Sequence, residues 1–152
     1  MRIAVIGSTG MFGSDLLNLL NAQGIENQGF NRQSLELDQS AESLAEALQG
    51  FDAVVNAVAF TAVDKAETET YDATTVNAIY AGRLAQASKI ARARMVHIST
   101  DYVFDGLSVI PYKVDDVTNP QTAYGKSKAL GEQLVFESGA DYSIVRTAWL
   151  YG

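Results

Sequence analysis

Tyr124 and Lys128 stand four residues apart in the run Thr122-Ala-Tyr-Gly-Lys-Ser-Lys-Ala-Leu-Gly-Glu132. If that run is helical, the spacing places a phenol and an ammonium on one face, about one turn apart. A phenol, with an unperturbed pKa of about 10, stays protonated at neutral pH and can hand its proton to a carbonyl oxygen that gains charge as hydride arrives. A nearby ammonium is expected to lower that pKa and ease proton transfer in either direction. Upstream, Ser99-Thr100-Asp101 offers a second group, the Thr100 hydroxyl, which would hold the same oxygen if it is preorganised. Surface helices carry Tyr-x-x-x-Lys often. Here the pair gains meaning from a third feature, the Gly7-Ser-Thr-Gly10-Met-Phe-Gly13 turn near the N-terminus.

These groups act together only if the chain brings them to one place. Ile3 to Ile6 is a short continuous apolar run that meets Gly7, the pattern of a fully buried parallel strand. Leucines at 16, 17, 19 and 20 recur at helical spacing, which predicts a helix from about Met11 to Gln23 that ends before Gly24. A second strand is expected over Ile25 to Phe30, a short third at Leu35 and Leu37, and a helix over Ala41 to Leu48 with Gly50 as terminator. A fourth strand follows at Ala53 to Ala57, a long helix from about Tyr71 to Ala91, and a fifth strand at Met95 to Ile98. Both prolines fall in Asp101 to Gln121, a loop of functional length. The Tyr124 helix, to about Glu137, and a sixth strand, Tyr142 to Arg146, complete one domain, residues 1–152. Alternating strands and helices of this kind predict an α/β fold: a doubly wound, Rossmann-like parallel sheet of about six strands with helices on both faces.

In such a sheet, ligands sit outside the carboxyl ends of the strands, where the glycine turn, Ala57 to Thr61 and Ser99 to Tyr102 would converge. Glycines between a first strand and first helix allow a tight turn and close approach of a pyrophosphate, so this context predicts dinucleotide binding; the plain alternative is a packing turn. After the second strand the usual ribose-binding carboxylate is replaced by Phe30-Asn31-Arg32. Arg32 suits a 2′-phosphate, which predicts NADPH rather than NADH, and is otherwise a solvated loop arginine. Asp38 is placed to reach the adenine or to cap the following helix.

Composition removes other chemistries. The chain has no cysteine and a single histidine, His97, so thiolate metal sites, a His-cluster metal centre and a Ser-His-Asp triad are not expected. His97 sits in a strand interior and reads as a packed histidine. Eighteen acidic against eleven basic residues, a net charge of −7, argue against nucleic acid or an anionic membrane as partner. Asp115 and Asp116 read as solvated loop charge. The N-terminal apolar run is too short for a signal peptide, and a cytoplasmic location is expected.

The glycine turn with Tyr124-x-x-x-Lys128 resembles the extended short-chain dehydrogenase/reductases. Four longer motifs are similar to the dTDP-4-dehydrorhamnose reductase family: Asn56-Ala-Val-Ala-Phe-Thr-Ala-Val-Asp-Lys-Ala-Glu67, Ser99-Thr-Asp-Tyr-Val-Phe-Asp-Gly106, Tyr124-Gly-Lys-Ser-Lys128 and Arg146-Thr-Ala-Trp-Leu-Tyr-Gly152. The resemblance implies an NADPH-dependent reductase of a nucleotide-linked 4-keto-6-deoxy sugar, with NADH as the alternative cofactor. It assigns Thr100, Tyr124 and Lys128 to catalysis, with Lys128 also on the nicotinamide ribose. It places Gly10, Met11, Phe12, Asp38, Ala57, Val58, Ala59 and Ile98 along the cofactor, where Gly7, Thr9, Gly13, Asn31, Arg32, Tyr124 and Lys128 are also expected, and Thr100, Asp101 and Trp149 against the sugar. Trp149 has an alternative as a core or edge aromatic. Phe60 departs from the family pattern, which more often has His or Tyr there.

Members of that family continue for over a hundred residues beyond the Trp-Leu-Tyr-Gly motif and build most of the sugar site there. The resemblance therefore covers the cofactor-binding part, with the substrate-binding part expected outside this chain. The sixth strand is expected to be an open edge, which predicts a homo-oligomer or a completing partner chain. A second reading is a truncated or repurposed NADP(H)-binding module, regulatory or completed by a partner, without turnover of its own. The joint presence of Thr100, Tyr124 and Lys128 favours the catalytic design.

Overall fold

The computed structural model describes residues 1–151; Gly152, which ends the last of the four motifs, lies outside the described residues. In chain order the elements are β1 (Arg2–Ile6), α1 (Met11–Ala22), β2 (Glu26–Phe30), α2 (Ala41–Ala47), β3 (Ala53–Asn56), α3 (Val63–Ala66), α4 (Thr70–Thr74), a π-helical turn (Thr75–Ile79), α5 (Tyr80–Ala91), β4 (Arg94–Thr100), a 3-10 turn (Asp101–Val103), α6 (Ala123–Glu137) and β5 (Tyr142–Thr147). All strand pairs are parallel, in the order β2-β1-β3-β4-β5. The chain leaves β1 in one direction and returns on its other side, so the topological switch lies between β1 and β3, where ligands of open α/β sheets bind.

Burial follows the strand period of two. Ile3, Val5 and Val55 face α1, packed with Leu20, Leu16, Leu17 and Phe12. Ala4, Ile6, Val54 and Met95 face the opposite way, into the larger core made with Leu44, Leu48, Leu84, Ala81 and Val135 of α2, α5 and α6. Helices thus cover both faces, and uninterrupted apolar runs in β1 and β3 are what a sheet buried on both sides requires. Among the described residues, no helix is long and apolar enough to cross a membrane.

The sheet has five strands rather than about six. The expected third strand at Leu35 and Leu37 is a loop. Asn31 organises it: its side-chain oxygen accepts from the amides of Gln33 and Ser34 at 2.9 and 3.1 Å, and its carbonyl accepts from Leu35 N. Leu35 is buried and Leu37 packs against the same core, so apolar side chains anchor a turn and mimic a strand. The helix after this loop is capped by Ser40, whose Oγ accepts from Ser43 N at 3.2 Å, and not by Asp38. The expected helix over 71–91 is present but holds a π turn at Thr75–Ile79.

Candidate functional site

The glycine turn is built by close contact. Gly7 has φ +89°, a conformation that L side chains rarely adopt, and a Cβ on Gly13 would lie 2.2 Å from the Gly7 carbonyl oxygen. The first turn of α1 therefore packs directly on the end of β1. Gly10 caps α1 without a side-chain hydrogen bond, leaving the first helical amides free to meet an anion. The turn opens on a cleft of about 820 Å³ at the carboxyl ends of β1 and β3.

Of the residues expected along a cofactor, Gly7, Thr9, Gly10, Asn31, Arg32, Asp38, Ala57, Val58 and Ala59 line this cleft. Met11, Phe12, Gly13 and Ile98 do not: Met11 is exposed, Phe12 packs on the α1 core and Gly13 is buried against Gly7. The cleft also takes in Leu35 and Phe60, together with Thr75, Val76 and Tyr80, which the sequence did not single out. Its dimensions, its glycine floor and an exposed arginine at one end fit an extended, phosphate-bearing dinucleotide.

The chemical groups lie where β4 gives way to α6. Thr100 ends β4 and accepts from Tyr102 N at 3.2 Å, while its hydroxyl donates to Asp101 Oδ1 at 3.0 Å. Tyr124 sits on the first turn of α6, which Thr122 caps by accepting from Gly125 N. The Tyr124 ring meets Tyr102 edge-on, centroids 5.5 Å apart. Its pKa is pushed above 10, first by burial, and further by the Asp101 and Tyr102 charges; the neighbouring Thr100 hydroxyl opposes this. Lys128 is not among the groups that shift it in the ligand-free chain; its ammonium donates to the Ile98 carbonyl at 2.7 Å.

Lys128 is 1% exposed. Desolvation lowers its pKa from 10.5 to about 8, and the Glu132 carboxylate one turn further on opposes the shift. His97 is fully buried, its pKa lowered to about 3 by burial and by the Lys128 charge. Asn56 fixes the His97 tautomer. Its Oδ1 is committed to Val58 N, so Nδ2 faces His97 Nδ1 at 3.1 Å and that nitrogen must accept. The proton then sits on Nε2, which has no partner among the described residues. The Asn56 side chain thereby ties the sheet interior to the Ala57–Val58 wall of the cleft.

Two further side chains join this framework. Asn77, buried in the π turn, accepts from Phe60 N at 2.8 Å and donates to Phe60 O and Ser127 Oγ at 3.2 and 2.9 Å. It holds the cleft wall and α6 in one register, and a π turn is a recurrent functional irregularity. No spacing in the sequence announced it. Glu132, bonded to Ser99 Oγ and paired with Arg146, was readable in principle, since Tyr124, Lys128 and Glu132 follow one another at intervals of four on a single helix face. Asp101 lies beside Thr100, and Trp149 is 91% exposed at φ +51°, so it is not packed in the core.

The model of a family described as the RmlD substrate binding domain matches residues 1–152. The spore coat polysaccharide biosynthesis protein SpsK of Bacillus subtilis is 40% identical over 152 residues, covering 99% of this chain and 54% of that protein. A crystal structure of a dTDP-4-dehydrorhamnose reductase from Clostridium acetobutylicum superposes with a TM-score of 0.93 at 38% identity, over 100% of this chain and 55% of the other. The dTDP-4-dehydrorhamnose reductase of Bacillus anthracis, solved in complex with NADP, gives 0.92 at 36%, over 99% of this chain and 54% of the other. This chain spans about half the length of the curated relatives it matches.

Proposed function

Because the chain belongs to the RmlD substrate binding domain family, we propose that it is the cofactor-binding half of a reductase that uses NADPH to reduce the keto group of a nucleotide-linked 4-keto-6-deoxy sugar. The observation that carries this reading is the meeting of the Tyr124 phenol and the Thr100 hydroxyl above a buried Lys128, at the carboxyl ends of β4 and α6's first turns.

When bound, the dinucleotide supplies the hydride. The residues of this chain do the rest. Gly7, Gly10 and the free amides of α1 receive the pyrophosphate, Arg32 the 2′-phosphate and Asp38 the adenosine side of the cleft. Tyr124, kept protonated by burial, donates from its hydroxyl to the carbonyl oxygen as charge develops there. The Thr100 hydroxyl stands beside the phenol and stabilises the same oxygen. Lys128, held by Ile98 O, presents a fixed positive charge beneath the nicotinamide end, and Asp101 faces the sugar. Trp149, exposed beyond the end of β5, is free to meet the sugar.

The sugar nucleotide's remaining contacts come from the substrate-binding part that the relatives carry beyond the region matched here. Among the described residues β5 is an open sheet edge, which suits pairing with a further strand, a second copy or a partner chain. The test is NADPH oxidation with dTDP-4-dehydrorhamnose, beside a fluorescence titration of NADPH alone. Tyr124→Phe is expected to abolish oxidation and leave NADPH affinity within about twofold, since the phenol acts in the transition state. NADPH binding without oxidation when the substrate-binding part is present selects a binding module instead.

A further inference from the structure

Between β4 and α6 the chain makes a long excursion whose apolar side chains, Leu107, Val109, Ile110, Val114 and Val117, are all exposed. Beyond Phe104 at its base, which is buried, and Tyr112 stacked on it, burial of its own side chains does not hold this loop in place. Its base is closed by Asn119 N donating to Val103 O at 2.9 Å. Inside, Tyr112 stacks on Phe104, centroids 4.2 Å apart and planes 3° from parallel, and its hydroxyl donates to Asp105 Oδ1 at 2.6 Å.

One side chain from β5 fastens this unit to the rest of the fold. Arg146 donates from Nη1 to Val114 O at 3.1 Å, and its guanidinium lies over the Phe104 ring at 4.9 Å. Its other nitrogens, Nε and Nη2, reach the two oxygens of Glu132 at 3.0 and 2.7 Å. Glu132 is buried, and Oε1 also accepts from Ser99 Oγ at 2.5 Å, next to Thr100. A planar fork with donors on both edges is what this junction needs, since it must grip a carboxylate, a carbonyl and a ring at once. We propose that Arg146 and Glu132 are positioning residues of the candidate site, a clasp that holds the 104–119 loop as a wall beside Thr100 and Tyr124 so that the sugar nucleotide meets a preformed surface. The proposal rests on the reductase reading for its purpose but not for its geometry.

Arg146→Met alone leaves the Glu132 carboxylate buried and unpaired, and loss of folding would then hide the effect. The informative protein is the double variant Arg146→Met, Glu132→Gln, which removes both charges and retains an acceptor for Ser99. Two readouts are needed: backbone amide exchange along the chain, and oxidation kinetics with dTDP-4-dehydrorhamnose. Exchange in 104–119 is expected to quicken at least about tenfold while β1 and α1 are unchanged. KM for the sugar nucleotide is expected to rise about tenfold with kcat little altered and NADPH affinity intact, because Thr100 keeps its neighbour. Unchanged loop exchange overturns the clasp whatever the kinetics show. A freed loop with unchanged KM overturns its role at the site. If the unaltered protein does not turn over with its substrate-binding part present, the reductase reading fails, and loop exchange alone then decides the clasp.

Discussion

Burial of Lys128 makes a stability prediction that does not depend on turnover. The ammonium is removed from water with one backbone acceptor, Ile98 O, and its pKa falls from 10.5 to about 8. Each tenfold change in proton affinity is worth about 1.36 kcal/mol, so the charged lysine weakens the fold at neutral pH by about 3 kcal/mol relative to its neutral form. Below pH 8 both folded and unfolded chains hold the proton. Between 8 and 10.5 the unfolded chain holds it and the folded chain does not, so stability rises with pH across that window and levels above it. Lys128→Met removes the term and also the hydrogen bond to Ile98 O, a loss of about 1–3 kcal/mol if the carbonyl is left dry. The two effects nearly offset at pH 7. The decisive quantity is therefore the slope: urea unfolding from pH 7 to 10.5 should show the unaltered chain gaining about 3 kcal/mol on the variant. Tyr124, whose pKa is raised, titrates in both proteins and largely cancels in the difference. Parallel curves for the two would refute the reasoning.

His97 gives the corresponding effect on the acid side. Its folded pKa of about 3 lies below the unfolded value near 6.5, so its contribution is complete above pH 6.5 and lost at about 1.4 kcal/mol per pH unit below it; His97→Asn should flatten that decline in acid titrations followed by circular dichroism. A Cβ on Gly131 would sit 2.2 Å from the Asn77 carbonyl oxygen, so Gly131→Ala must push α6 off the π turn, at about 1–3 kcal/mol in denaturant midpoints. An alanine there that leaves stability unchanged would show that the two elements are not in fixed contact. Arg32→Ala should weaken NADPH about tenfold in fluorescence titrations and leave NADH alone, since a charged hydrogen bond to phosphate is worth about 1.5–3 kcal/mol; equal effects on both dinucleotides would remove Arg32 from the 2′-phosphate.

The sheet was legible because parallel strands buried on both faces leave an unmistakable pattern: Ile3 to Ile6 and Ala53 to Val55 are unbroken apolar runs ending at turns. The same logic misread Leu35 and Leu37, whose side chains are also core-bound; only the Asn31 side chain, closing a turn on the next amides, separates a buried loop from a buried strand. The Tyr124–Lys128 spacing was legible because a helix has a fixed period. What Lys128 does with its ammonium was not, because its partner is a backbone carbonyl, and backbone acceptors leave no mark in a sequence. Asn77 and the Asn56–His97 contact were hidden likewise, each depending on elements that only the folded topology brings together.

The buried charges on α6 bear on function through their order. From the first turn inward the helix presents Tyr124, Lys128 and Glu132, and Arg146 closes the line from β5. An apolar residue at 128 would avoid the whole desolvation penalty, and with it the need for a buried carboxylate, an arginine to pair it and a histidine forced to stay neutral. With a pKa near 8, Lys128 remains charged at pH 7 by a margin of about tenfold, and Glu132 is the group that opposes further loss. A fold that surrounds a lysine this way sacrifices stability to keep one ammonium fixed, dry and still protonated. A packing role does not require that charge, and its retention accords with the proposed place of Lys128 beside a bound dinucleotide.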